Sequence, residues 1–134
     1  MIEFVVNMEN QPGRLAALTE ALAASEVNIE ALTAYGRDGE GTVRLIVDDA
    51  RAARRVLDEA ALAYHELTVL TATLQHRPGE LARLTRAIAN AGVNIDAIYV
   101  MKANADGVEL AIALDEPDSA LPELEVLGGV GLDH

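Results

Sequence analysis

The chain has 134 residues, of which 51% are apolar and only 3% aromatic, and a formal net charge of −12. That acidity argues against nucleic acid, whose binders neutralise phosphates with Lys and Arg, and gives no footing on an anionic membrane. There is no cysteine, which excludes disulfides, thiolate nucleophiles and cysteine-based zinc sites, and no apolar run approaches the roughly 20 residues of a membrane span.

Met1-Ile2-Glu3 does not open a signal peptide, so a soluble cytoplasmic protein is expected. Residues 2–8 (IEFVVNM) predict a strand of β-branched and aromatic types. Glu9-Asn10-Gln11-Pro12-Gly13 predicts a loop that opens a helix, because Pro is tolerated in a first turn. Leu15, Leu18 and Leu22 follow at helical spacing with Ala between them, on a helix that ends near Ser25-Glu26. Residues 27–35 predict a second strand, 36–41 a glycine-bearing turn, and 42–47 a third strand with Val43, Leu45 and Val47 inward. Asp48-Asp49 predicts the cap of a second helix over 50–62, where Arg51, Arg54 and Arg55 lie at spacings that pair with Asp58 and Glu59. A closing strand is expected around 64–70, running directly into the strand that follows.

The order then repeats. A strand within 67–74 precedes a second Pro-Gly loop and a helix with Leu81, Leu84 and Ile88 on one face. A strand over 93–101, a turn over 102–107 and a strand over 108–114 with Leu110, Ile112 and Leu114 inward come next, one residue more in all than the counterpart segment 27–47. Asp115-Glu116-Pro117 starts a short helix to about 126, after which only Val130 and Leu132 remain to supply a last strand. Gln11-Pro12-Gly13-Arg14-Leu15 returns as Arg77-Pro78-Gly79-Glu80-Leu81, and aligning 11–31 with 77–97 leaves 12 of 21 positions identical without a gap. The chain is therefore read as two βαββαβ units, 1–66 and 67–134, of the α+β class: ferredoxin-like, an antiparallel sheet with helices on one face. Neither half is the basic one, since 1–66 carry 6 basic and 12 acidic groups and 67–134 carry 4 and 10. Units of about 66 residues are near the lower size for a self-sufficient core, so the two should pair and the chain should form a homodimer.

Glu9-Asn10-Gln11-Pro12-Gly13-Arg14-Leu15, followed by Val27-Asn28-Ile29, resembles the ACT domain, a small βαββαβ module that binds amino acids and regulates metabolic enzymes. The resemblance spans nearly the whole chain, twice, and is similar to stand-alone proteins made of two ACT units with no catalytic domain. It implies a ligand site between ACT units, at the loop that opens the first helix and the start of the next strand. In the first unit the matching residues are Asn10, Gln11, Gly13, Arg14, Leu15, Asn28 and Ile29; in the second they are His76, Arg77, Gly79, Glu80, Leu81, Asn94 and Ile95. Asn10 and Asn28 match the polar contacts of serine-regulated phosphoglycerate dehydrogenases. The chemistry is compatible: a helix start offers unpaired N–H groups and a positive dipole end to a carboxylate, and an Asn amide can meet either charged end of an amino acid. Glycine at 13 and 79 leaves room for a ligand to approach the backbone. The second unit departs from the pattern, with His76 in place of Asn10, so the two sites are expected to be unequal.

Plainer readings stand beside these. The Pro-Gly pairs start helices in any case, Asn28 and Asn94 can satisfy local backbone groups, and the acidic pairs Asp48-Asp49 and Asp115-Glu116 suit capping. His65 and His134 have no partner at metal-ligand spacing, and the glycines of 36–41 lack the Lys of a phosphate loop. No nucleophile–base constellation is present, so no enzyme, cofactor or metal is expected. Two readings remain: a regulatory protein that senses an amino acid, or an interaction subunit with a vestigial site that modulates a metabolic enzyme.

Overall fold

The computed structural model describes residues 1–128 and 131–133. The chain forms two compact units, one over Ile2–Leu67 and one from Thr68 onward that also takes in Met1.

The N-terminal unit contains β1 (Ile2–Glu9), α1 (Arg14–Ala24), β2 (Ile29–Arg37), β3 (Glu40–Val47), α2 (Ala50–Glu59) and the first residues of β4 (Ala63–Leu74). Its strand order is β2-β3-β1-β4, with β1 and β2 both antiparallel to β3. Phe4 lies opposite Leu45 and Val6 opposite Val43, so alternate residues of each strand line one face. That face meets Leu18 and Leu22 of α1 and Ala53, Val56 and Leu57 of α2. Burying each Leu or Val side chain contributes about 1.5–3 kcal/mol, and aliphatic residues alone nearly suffice; the one buried ring, Phe4, meets Tyr64 edge to face at 5.8 Å.

The C-terminal unit takes the rest of β4, then α3 (Glu80–Asn90), β5 (Ile95–Asn104), β6 (Gly107–Leu114), α4 (Pro117–Glu125) and β7 (Gly131–Asp133). β4 lies between β6 and β7 and β5 lies beyond β6, all antiparallel, which repeats the order of the first unit. Leu70, Leu74, Leu110, Ile112 and Leu114 meet Leu84 and Ile88 of α3 and Leu124 of α4. The fold is thus α+β, two ferredoxin-like βαββαβ patterns.

As expected, the closing strand of the first unit runs directly into the opening strand of the second, and the two are a single strand of 12 residues, β4. Other details differ from the sequence reading. The last strand is three residues long; Leu132 sits in it opposite Ala72, while Val130 lies outside the described residues. α2 stops at Glu59, short of 62, because Ala61 takes a left-handed φ of 55° and turns the chain into β4. Leu15 and Leu81, which share helical spacing with buried residues, are 37% and 49% exposed, because each belongs to the first turn of its helix; Leu15 stands beside Ala34 and Tyr35 of the outermost strand. Arg54 does not pair along its helix: it reaches Glu66 of β4 with two bonds of 2.8 and 2.6 Å. Asp58 instead accepts the Tyr64 hydroxyl at 2.7 Å, and Arg51 and Arg55 form no ion pair among the described residues.

The hairpins are tighter than the glycine-bearing segments suggested. Asp38 and Gly39, with φ of 53° and 82°, make a two-residue turn between β2 and β3, the geometry that follows strand twist. The extra residue of the second hairpin is not in its turn. Val100 pairs with Leu110 and Lys102 with Glu109, which leaves Met101 as a bulge inside β5.

Candidate functional site

At the end of β1 the chain leaves the sheet and starts α1 within four residues. Asn10 donates its backbone N–H to Gly39 of the hairpin at 2.9 Å, which fixes the loop against β2 and β3. Gly13 then takes a φ of 85°, and Gly79 one of 92° in the second unit. No atom lies within 4 Å of the place a Cβ would occupy at either, so it is the left-handed backbone that demands glycine there. α1 begins without a side-chain cap and without an acidic residue in its first turn. The Gln11 carbonyl accepts the Arg14 N–H at 3.2 Å, which leaves the amides of Leu15 and Ala16 at the positive dipole end without a backbone partner among the described residues.

Beside this helix start is a hollow of about 160 Å³, lined by Asn10, Gln11, Arg14 and Leu15 together with Glu9, Ala34, Tyr35 and Gly36. Four of the seven residues expected in the first unit thus come together. Arg14 and Glu9 form an exposed ion pair of 3.1 Å at its rim. Tyr35 is 58% exposed, which places its ring at the surface of the site and out of the core. A larger concavity, about 540 Å³, spreads over the hairpin on Asn7, Arg37, Asp38 and Glu40, and none of the expected residues lines it.

Asn28 and Ile29 do not line the hollow. Ile29 packs on the core, and Asn28 is held through its backbone. The Asp48 carboxylate accepts the Asn28 N–H at 2.8 Å, and Asp48 returns its own N–H to the Asn28 carbonyl at 3.1 Å. Asp115 and Asn94 repeat this pair at 2.9 and 3.2 Å. The acidic doublets therefore divide their work. Asp49 caps α2 by accepting the Ala52 N–H at 3.0 Å, whereas Asp48 and Asp115 clamp the strand start, and Glu116 makes no side-chain cap.

The second helix start has a different chemistry. Glu80 stands where Arg14 stands in the first unit, and it is only 4% exposed. Arg77 donates to it at 2.9 Å and Arg83 at 3.0 Å, while Arg83 also reaches the Gly128 carbonyl at 2.7 Å. The hydrogen bond from Arg77 is the main cause holding the Glu80 carboxyl below the usual glutamate range, with the charges of both arginines adding to it. Gly79 and the exposed His76 and Leu81 flank this cluster, Ile95 packs on the core, and the Asn94 amide donates to Asp96 at 3.3 Å. Among the described residues no group of three His, Asp or Glu could hold a metal ion, and no helix is long and apolar enough to cross a membrane.

Glu9, Ala34, Tyr35 and Gly36 were not named as site residues from the sequence. Glu9 adjoins Asn10 at the end of β1, whereas Ala34, Tyr35 and Gly36 belong to β2, which reaches the loop only through its pairing with β3 and that of β3 with β1.

Among solved structures, a protein from Bacteroides thetaiotaomicron, BT0572, superimposes with a TM-score of 0.88 at 27% identity, over 98% of this chain and 90% of that one. The regulatory subunit of aspartate kinase from Thermus thermophilus matches with a TM-score of 0.65 at 18% identity, over 92% and 89%. Aspartokinase alpha and beta subunits match with a TM-score of 0.63 at 16% identity, over 93% of each chain. No curated protein matches the sequence. The profile of the ACT domain pair covers residues 1–126, and with that breadth of match the chain belongs to the ACT domain pair family.

Proposed function

We propose that this is a non-catalytic regulatory protein that binds an amino acid in the hollow at the start of α1, with one ACT unit over 1–66 and the other over 67–134. The observation that carries the reading is the hollow's chemistry. It sets an arginine and a glutamate 3.1 Å apart at the rim of a space of about 160 Å³, next to uncapped helix amides. An amino acid carries both signs of charge on groups attached to one carbon, so its carboxylate matches Arg14 and the helix amides while its ammonium matches Glu9. The volume is about half the lower end of pockets for drug-sized ligands, which suits a metabolite of about ten heavy atoms or fewer. Met8, Leu15, Ala34 and Val43 supply an apolar wall for a side chain.

A sensor must convert binding into a change of association or arrangement, so the ligand has to favour one state over another. A homodimer provides such a state. The outermost strands expose Leu32, Ile98 and Val100, at 40, 36 and 57%, and the helix starts expose Leu15 and Leu81. A second copy would cover these positions and close the hollow. The alternative, a subunit that modulates a metabolic enzyme and has lost its ligand, draws on the likeness in fold to the aspartate kinase regulatory subunit.

Thermal denaturation against the twenty amino acids separates the two readings. A ligand at 100 times its Kd stabilises the folded state by about 2.7 kcal/mol. For domains of this size that is a rise of roughly 10 °C. A midpoint unmoved by all twenty would remove the sensor reading and leave the subunit reading.

A further inference from the structure

We infer that each chain holds one amino-acid site, in the N-terminal unit, and that Gly36 creates it by giving the Asn10 amide its seat; this rests on the amino-acid reading of the hollow. Gly36 and Gly41 face each other across the β2–β3 ladder. The Asn10 side chain lies on them. A Cβ on Gly36 would stand 2.6 Å from Asn10 Cγ and closer still to its Nδ2, and a Cβ on Gly41 would stand 3.7 Å from Asn10 Cβ. Gly36 has no backbone reason to be glycine, because the left-handed glycines of the described residues are 13, 39, 79, 92 and 107. What glycine supplies at 36 is space for the amide.

The seated amide makes no hydrogen bond to protein among the described residues, which leaves its donor and its acceptor for a ligand in the hollow it lines. The second unit has no such seat. The bulge at Met101 shifts the ladder by one, so Ala103 paired with Val108 takes the place of Gly36 paired with Gly41. Both carry side chains, and Val108 is packed against the core. His76 replaces Asn10, and Glu80 replaces Arg14 and is closed into its cluster with Arg77 and Arg83.

Gly36 is a positioning residue, and its test separates placement of Asn10 from stability. Isothermal titration of the whole chain uses the amino acid that gives the largest thermal shift. The expected stoichiometry is one ligand per chain. Gly36→Ala should weaken binding at least ~10-fold, about what losing one hydrogen bond to a charged ligand group costs. Its melting midpoint should stay within a few degrees of the parent, since alanine suits the strand and only the end of a short side chain must move. Asn10→Ala should lose as much affinity, and the double variant no more than either single one. The side-chain amide resonance of Asn10 should shift in Gly36→Ala without ligand. Two ligands per chain, parental affinity in Gly36→Ala, or a further loss from Gly36→Ala in the Asn10→Ala background would overturn the inference while leaving the sensor reading intact. Failure of every amino acid to bind the parent protein would overturn both.

Discussion

Arg14 and Glu80 occupy the same place in the two units and set opposite local chemistry. Arg14 is exposed and shares only a rim ion pair, so its guanidinium can exchange Glu9 for a ligand carboxylate. Glu80 is buried between two arginines, one of which ties α3 to the Gly128 carbonyl. Its folded-state pKa lies below the unfolded value, so its contribution is fully present above the ordinary glutamate pKa of about 4.3 and is lost as pH falls through the folded value. Glu80→Gln should therefore lower the midpoint of urea unfolding at pH 7. The gap between variant and parent should close on acidification below about pH 4. Parallel stability curves from pH 7 down to pH 2 would show that the cluster does not hold the carboxylate as charged. The duplication could reveal the exchange of Arg14 for Glu80 but not its consequence. Glu80 is buried because Arg77 and Arg83 converge on it, and that convergence depends on helix phase and on the loop at Gly128.

At the scale of elements, periodicity located strands and helices because each has one buried face. Val43, Leu45 and Val47 alternate inward on β3 as expected, and Leu18 and Leu22 fill the helix layer. Boundaries and partners were less legible, because they depend on residues distant in sequence. Asp48 and Asp49 look alike before a helix, yet only the return of the chain past Asn28 gives Asp48 a different donor. The bulge at Met101 is likewise set by ladder pairing and leaves no mark of its own in the alternation. The glycines divide in the same way. Gly13 and Gly79 are fixed by local geometry at φ of 85° and 92°, so Gly13→Ala and Gly79→Ala should each cost about 1–2 kcal/mol for a left-handed alanine. Chemical denaturation of the two single variants and the double one should give additive losses, because the sites lie in separate units. A loss at Gly36→Ala as large as these would mean that strand, too, is strained, and would contradict the seat assigned to it.

For the whole molecule, duplication was the most legible feature and association the least, since association depends on which apolar residues stay exposed after folding. Ile98 and Val100 on β5 and Leu32 on β2 remain exposed on outermost strands, a position that invites pairing with another chain. The net charge of −12 opposes such pairing, because two copies bring 24 negative charges together. Screening by salt weakens this repulsion and leaves apolar burial nearly unchanged, so the dimer should tighten as ionic strength rises toward 0.5 M. Sedimentation at micromolar concentration should give twice the chain mass, with the monomer fraction largest at low salt. Val100→Glu is the sharper test. At 57% exposure a glutamate there is solvated in the monomer and should change its stability by no more than about 0.5 kcal/mol. Within a dimer interface the same carboxylate would be desolvated among apolar neighbours and should shift the population to monomer. A variant that sediments as the parent does, at every salt concentration, would place the dimer contact away from β5. A parent that stays monomeric up to 0.5 M salt would leave the hollow at α1 without a second copy to close it, and ligand binding could then not be read out through association.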